Sequence, residues 1–180
     1  MGNSIMKKIQ FGCGGNLLDG WDNFDIEMDI AEALRFEDNS VDYILAEHVV
    51  EHVNHNEALC FFDECRRILK EGGVLRVCIP SFQKIKDLAD SEYVEFTKQF
   101  FANSKSPDVH LRAIVLCHEH KSMWTSDVLW DFLSMAGFDK IKKCDMRKSD
   151  HEALRDVDGH WKVIGEKFAN IETEICEAIK

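Results

Sequence analysis

Lys8-Ile9-Gln10-Phe11-Gly12-Cys13-Gly14-Gly15, with Asp25 following in Phe24-Asp25-Ile26, decides how this chain folds. An apolar run that breaks at once into glycines reads as a strand ending in a tight turn. Glycine tolerates left-handed backbone and lets main chain approach a ligand's polar atoms. An acid at the end of the next strand is placed to accept hydrogen bonds from ribose hydroxyls. A glycine turn also serves as an ordinary connection, so its meaning depends on its surroundings. The dinucleotide fingerprint fits poorly. It needs Gly-x-Gly-x-x-Gly opening a helix, with its acid ~20 residues on. Here Asp25 follows Gly12 by 13 positions, and Asn16 to Asp22 is too short for a full helix.

Outward from the loop, strands and helices alternate. Ile5 to Phe11, Trp21 to Ile26 and Val41 to Ala46 read as strands, the last after the turn residues Glu37-Asp38-Asn39-Ser40. Asn54 with Glu57 forms a capping-box pattern, and Leu59, Phe61, Phe62, Cys65, Ile68 and Leu69 recur at helical spacing. Gly72-Gly73 is expected to stop that helix, with Val74 to Ile79 as the next strand, closed by Pro80. Residues 82 to 103 read as helical, and Phe100-Phe101 as core ahead of a substrate lid. A helix starts at Thr125 or Ser126 and runs through Met135 to Gly137, with Trp124, Trp130 and Phe132 read as core. Phe138 to Met146 is a further strand. Ile171 to Ile179 fits either a helix or a strand by periodicity. The pattern argues one α/β domain over residues 1–180, with a mainly parallel sheet and helices packed on it.

Composition narrows the function. Of 180 residues 45% are hydrophobic, enough for one packed core, and the net charge is −11. Lys7-Lys8, Arg66-Arg67 and Lys140-Lys142-Lys143 are the best basic clusters, and the first and last read as ordinary solvated positions beside strands. Nucleic-acid binding, which draws on phosphate contacts, is therefore not expected. No apolar run approaches the ~20 residues of a membrane span. The start Met1-Gly2-Asn3-Ser4-Ile5-Met6 fails as a myristoylation signal because Met6 replaces Ser or Thr. Seven cysteines without a Cys-x-x-Cys read as reduced thiols, so a cytoplasmic protein is expected.

Four blocks carry a family resemblance. Ile9 to Gly15 resembles the first motif of class I S-adenosylmethionine-dependent methyltransferases, and Trp21-Asp22-Asn23-Phe24-Asp25-Ile26 their "GW-N-D" strand. Leu34 to Ile44 is similar to "LPF-DNSFD" and runs into Ala46-Glu47-His48-Val49-Val50-Glu51-His52-Val53, like "HVLEH". Cys65 to Val77 resembles "R-LKPGG-L-I", and Trp124 to Phe138 the late "L…L…AGF" helix. The chain is most similar to the compact methyltransferase type 11 branch. The resemblance implies S-adenosylmethionine as cofactor. Gly12, Cys13 and Gly14 would approach its methionyl part, Asp25 the ribose, Ile26 the adenine, and Asp29 or Ala33-Leu34 the adenine edge. Glu47 and His48 would lie near the sulfonium and the acceptor. It also makes the last segment an antiparallel strand.

Spacing departs from the family. Nine residues separate Gly12 from Asp22 and eight separate Asp25 from Leu34, whereas a parallel crossover normally takes about a dozen or more. The expected fold is thus a pared-down Rossmann-like methyltransferase sheet, mostly parallel with a C-terminal antiparallel strand. It lacks the first crossover helix and an edge strand. One face is left to be covered by another segment or by a second subunit in a homodimer.

The expected chemistry is in-line methyl transfer from a sulfonium to a small-molecule hydroxyl or amine, with His48, Glu47 and His120 as candidate catalytic groups. Two rivals stand beside it. One is a methyltransferase-like binding module without chemistry. The other is a zinc hydrolase built on His48-x-x-Glu51-His52, the inverted zinc-peptidase pattern, with His55, His118 or His120 as third ligand. His118-Glu119-His120 is otherwise read as a loop over the site or as simply solvated. His110, His151 and His160 receive no role.

Overall fold

The computed structural model describes residues 6–86, 95 and 118–180. Its strands are β1 (Lys8–Phe11), β2 (Asp22–Phe24), β3 (Val41–Glu47), β4 (Leu69–Pro80), β5 (Lys140–Cys144) and β6 (Thr173–Ile179). The helices are α1 (His55–Ile68), α2 (Phe82–Lys86), α3 (Ser126–Met135), α4 (Trp161–Ile164) and α5 (Glu166–Glu172), with 3₁₀ turns at Val50–His52 and Glu152–Leu154. Rather more of the helix expected over 82 to 103, with Phe100-Phe101, lies outside the described residues, as does His110.

The sheet order is β2-β1-β3-β4-β6-β5. β1 pairs in parallel with β2 and β3, and β3 with β4. β6 is inserted antiparallel between β4 and β5. No helix lies between β1 and β2, and no strand between β2 and β3. The pared-down sheet is as expected. The ambiguous last segment divides at Thr173, helical before it and strand from it on.

α1 begins where its capping box puts it. Asn54 Oδ1 accepts from the Asn56 and Glu57 N–H groups at 2.9 and 3.0 Å, and Glu57 Oε2 accepts from Asn54 N–H at 2.8 Å. Its end corrects the sequence reading. The glycines do not stop it, because Leu69 is already extended and paired with Val41, so β4 runs through Gly72-Gly73. Gly73 suits this crowded register, since a Cβ there would sit 2.9 Å from the Lys70 carbonyl oxygen. α3 starts on the Thr125 side chain, which accepts from Val128 N–H. Trp124 and Phe132 pack inward, but Trp130 is a third exposed on the outer side of α3.

Alternation along the strands divides the interior in two. Ile9, Phe11, Ile44, Ala46, Leu75, Val77, Ile79, Cys176 and Ala178 face the main core with Phe61 and Phe62 of α1 and Leu129 and Leu133 of α3. Their neighbours on the opposite face include Leu45, Cys78 and Ile175, and also the buried polar residues Gln10, Glu47, Arg76 and Glu177. The face stripped of its crossover helix is covered by this chain's own residues 145–164, through Met146, Val157, Trp161 and Ile164.

Arg76 anchors that cover. Its side chain is 0% exposed, and all five of its N–H donors are used. Nε and Nη2 grip the Asp158 carboxylate at 2.7 and 2.6 Å, and Nη1 reaches Glu177 Oε1 at 2.6 Å. The remaining two reach the carbonyls of Lys148 and Asp145. Asp158 Oδ2 also accepts from Arg147 N–H at 2.6 Å. Burial opposes the guanidinium charge, but the Asp158 carboxylate outweighs it and holds Arg76 more basic than usual.

Removing one member leaves the others as unpaired buried charges. Arg76→Met should therefore destabilise the chain by about 3–5 kcal/mol in urea unfolding. A loss below about 1 kcal/mol, the range of exposed ion pairs, would contradict this anchoring role.

Candidate active site

The C-terminal ends of β1, β2 and β3 lie side by side, and ligand sites of open parallel sheets gather at this edge. The loop after β1 turns immediately. Gly12 has φ +70°, and a Cβ on it would lie 2.1 Å from Val49 Cγ2 and 2.9 Å from the Glu47 carbonyl oxygen. Only glycine lets β1 end this close to β3. Gly14, at φ +45°, instead faces open space, with no atom within 4 Å of the position a Cβ would take. Cys13 N–H donates to the Phe24 carbonyl at 3.0 Å and ties the loop to β2.

The loop forms one wall of a cavity of about 430 Å³, and Glu47, His48, Gly159, His160, Lys162 and Val163 form the others. The far wall hangs from Glu47. Its carboxylate, nearly buried, accepts from Gly159 N–H at 2.8 Å on both oxygens and from His160 N–H at 3.0 Å on Oε1. Asn16 joins the two walls, donating to the Val157 carbonyl at 3.1 Å and accepting from Lys162 Nζ at 2.7 Å. Gly159 must be small, because a Cβ would fall 2.3 Å from the Asn16 side chain.

Two histidines stack at the cavity's edge. His48 and His160 have ring centroids 3.9 Å apart, inclined by 31°. Each has its own carboxylate: His48 Nδ1 lies 3.3 Å from Glu51 Oε1, and His160 Nε2 lies 2.6 Å from Glu172 Oε1. His48 Nε2 is 3.3 Å from Thr173 Oγ1. Burial works against a charge on His48, but hydrogen bonding and attraction from Glu51, with Glu47 and Glu172 adding, raise its pKa above the ordinary value. Burial likewise works against a charge on Glu51, and His48 more than offsets it, so that carboxyl is more acidic than usual. His48 adopts φ +50°, uncommon for a residue with a side chain and frequent where function fixes the backbone.

The other residues singled out in the sequence scatter around this centre. Asp25 is exposed just beyond β2. It is close enough that, after burial, its charge and that of Glu27 push the Cys13 thiol up. Ile26 is 95% exposed. Asp29 is exposed and accepts from Ala31 N–H at 2.9 Å. Leu34 is 3% exposed and sits in the main core, its N–H donating to Glu64 Oε2.

His120 does not line the cavity; its ring meets His52 edge-on at 4.9 Å. Burial first, then the neighbouring rings, draws its pKa down to about 4, against the opposing pull of Glu51. The inverted zinc-peptidase face does not form. Val50–His52 is a single 3₁₀ turn, so His48 turns toward His160 while His52 turns toward His120. His55 rests on Trp124 and Phe132. Sequence reasoning missed Asn16, Gly159, His160, Lys162, Glu172 and Thr173. The turn dipeptide Asp158-Gly159 was the one local signal among them.

Residues 11–77 match the family model of the methyltransferase domain. No curated protein matches the chain. Solved structures with the same fold include an S-adenosylmethionine-dependent methyltransferase of Mesorhizobium loti, 12% identical with a TM-score of 0.58, over 98% of this chain and 91% of that one. Another is a methyltransferase of Thermotoga maritima, 15% identical with a TM-score of 0.55, over 97% and 82%. A third is phosphoethanolamine N-methyltransferase 2 of Haemonchus contortus in complex with S-adenosyl-L-methionine, 13% identical with a TM-score of 0.54, over 97% and 48%. The resemblance seen in the sequence blocks therefore stands, as does the methyltransferase fold.

Glu47 carries the far wall through three contacts to two backbone N–H groups. Glu47→Gln would turn an amide donor toward them, at a cost of about 1–3 kcal/mol. Hydrogen exchange at Gly159 and His160 should then accelerate by about tenfold or more. Unchanged protection would show that the wall is held elsewhere.

Proposed function

With a methyltransferase domain matched across residues 11–77 and a methyltransferase fold around it, we propose that this chain binds S-adenosylmethionine at the Gly12–Gly15 loop and methylates a small molecule. One observation carries this reading. The glycine loop after β1 and Glu47-His48 at the end of β3 line one cavity, and Asp25 stands just beyond the end of the adjacent β2. The space beside Gly14, which any side chain would invade, fits the close main-chain approach such a cofactor needs. A fold neighbour that binds S-adenosyl-L-methionine adds weight.

The bound cofactor would supply a methyl group already activated on a sulfonium. What remains for the chain is to bind, orient and exclude water. The loop offers backbone N–H groups and closeness, and Asp25 is exposed just beyond the end of β2, where it can accept from ribose hydroxyls. Glu47 is a positioning residue, since its oxygens are taken up by Gly159 and His160.

His48 is the group best suited to receive an acceptor's proton. When its Nδ1–H faces Glu51, Nε2 keeps a lone pair, and the carboxylate orients the ring as in a base held by a third group. Stacking on His160 fixes the ring plane. His120 is not part of this arrangement. The acidic net charge of −11 and a cavity of this size favour a small hydroxyl or amine acceptor over a nucleic acid.

Calorimetric titration with S-adenosylmethionine should give one site per chain, weakened about tenfold in Asp25→Ala. His48→Ala should keep cofactor affinity yet lower S-adenosylhomocysteine release with a hydroxyl or amine acceptor by about 10²-fold or more. Absence of cofactor binding would overturn the proposal. Cofactor binding with His48→Ala turnover equal to that of the unaltered chain would remove His48 from the chemistry.

A further inference from the structure

Next to the stacked histidines, Glu51 belongs to a second polar cluster whose histidines, His52 and His120, methyl transfer does not use. We propose that Glu51, His52 and His120 form a binding site for a divalent transition-metal ion, zinc above all. A ligand atom from each of the three lies within 4.8 Å of the other two. Bonds of about 2.0–2.2 Å hold the tetrahedral ligands of one zinc ion about 3.3–3.6 Å apart, so side-chain torsions must draw the three inward by up to about 1.5 Å.

The independent observation is the carboxylate itself. Glu51 is 1% exposed; its Oε1 faces His48 Nδ1 at 3.3 Å, and its Oε2 has no hydrogen-bond partner among the described residues. The ion-pair contact with His48 engages Oε1 alone and does not reach Oε2. A buried carboxylate with unmet acceptor sites is costly, and a cation is the group it lacks. Two imidazoles and one carboxylate are the donor set of zinc sites that keep a fourth position open. The His118 ring has its centroid 5.8 Å from that of His120, which brings a third imidazole close to the cluster.

The ligand-bearing segments are already clamped together. The Glu51 carbonyl accepts from Lys121 and Ser122 N–H at 2.8 and 3.1 Å. Ser122 Oγ donates to the Val50 carbonyl and accepts from Trp124 Nε1. The ion would thus meet a preformed site and fasten the turn after β3 to residues 118–122. The cluster of Glu47, Cys78 and Asp158 offers a contrast. Its carboxylates are satisfied by Gly159, His160, Arg147 and Arg76, so it calls for no cation. The site also touches the cavity's edge, because Glu51 pairs with His48 through one oxygen and faces the ion with the other.

The full chain, stripped with a chelator, is titrated with Zn²⁺ by calorimetry and with Co²⁺ by visible absorption. The expected result is one equivalent bound, with Co²⁺ bands that lack a sulfur charge-transfer component. His52→Ala and His120→Ala should each weaken Zn²⁺ binding by about tenfold or more, as even outer-shell changes do at such sites. His151→Ala, at a histidine remote from the cluster, should leave it unchanged. Zn²⁺ binding that is equal in the unaltered chain and in the His52→Ala/His120→Ala double variant would overturn the proposal. So would no Zn²⁺ binding to the folded chain, or a thiolate signature in the Co²⁺ spectrum. His52 is exposed, so its variant is expected to fold. Cofactor titration is a separate readout, so this site and the methyl-transfer reading can fail independently.

Discussion

The buried pairing of Arg76 with Asp158 and Glu177 is the constraint on which the rest of the structure depends. A guanidinium on the middle strand of a sheet must find partners for five donors without water. Here it finds two carboxylates and two carbonyls, all on residues 145–158 or on β6. A hydrophobic residue of similar size would often be as stabilising. What the ion cluster adds is location. It fixes Asp158 over β4, and the next two residues then present their N–H groups to Glu47.

This arrangement answers the shortage created by the short β1–β2 connection. A longer connection would cover that face with a helix and aim the helix N-terminus at the ligand. Here a ten-residue loop joins the strands, and an irregular segment from far along the chain takes over the cover. Because that segment is irregular, its backbone groups need partners. Those partners are the polar residues Glu47, Asn16 and Arg76 rather than a second apolar surface. The same economy leaves two histidine-carboxylate pairs, His48–Glu51 and His160–Glu172, stacked at the edge of the cavity.

Much of this was legible where the signal was local. The Asn54 capping box, the α3 helix from Thr125, the glycine loop and Asp25 follow from spacing within a few residues, and the structure has them there. The glycines at 72 and 73 misled, because a helix stop and a strand bulge use the same residue type. Only the pairing of Leu69 with Val41, across the chain, decides between them. The far wall was barely legible. Asp158 and Arg76 are 82 positions apart, and no motif announces their pairing. A hint was present in Val74-Leu75-Arg76-Val77-Cys78-Ile79, where a lone arginine in an apolar strand demands a buried counter-charge. His160, given no role from sequence, is placed at the cavity by the residue before it.

The central claim is that residues 157–163, hung from Arg76 and Glu47, replace the absent helix and complete the ligand cavity. A crystal structure of the chain with S-adenosylhomocysteine bears on it most directly. The ligand should lie between Gly12–Gly15 and Gly159–Val163, with its ribose toward Asp25 and the Glu47 contacts to Gly159 and His160 intact. A ligand bound away from that segment, or a segment displaced from Glu47 when the ligand is bound, would contradict it.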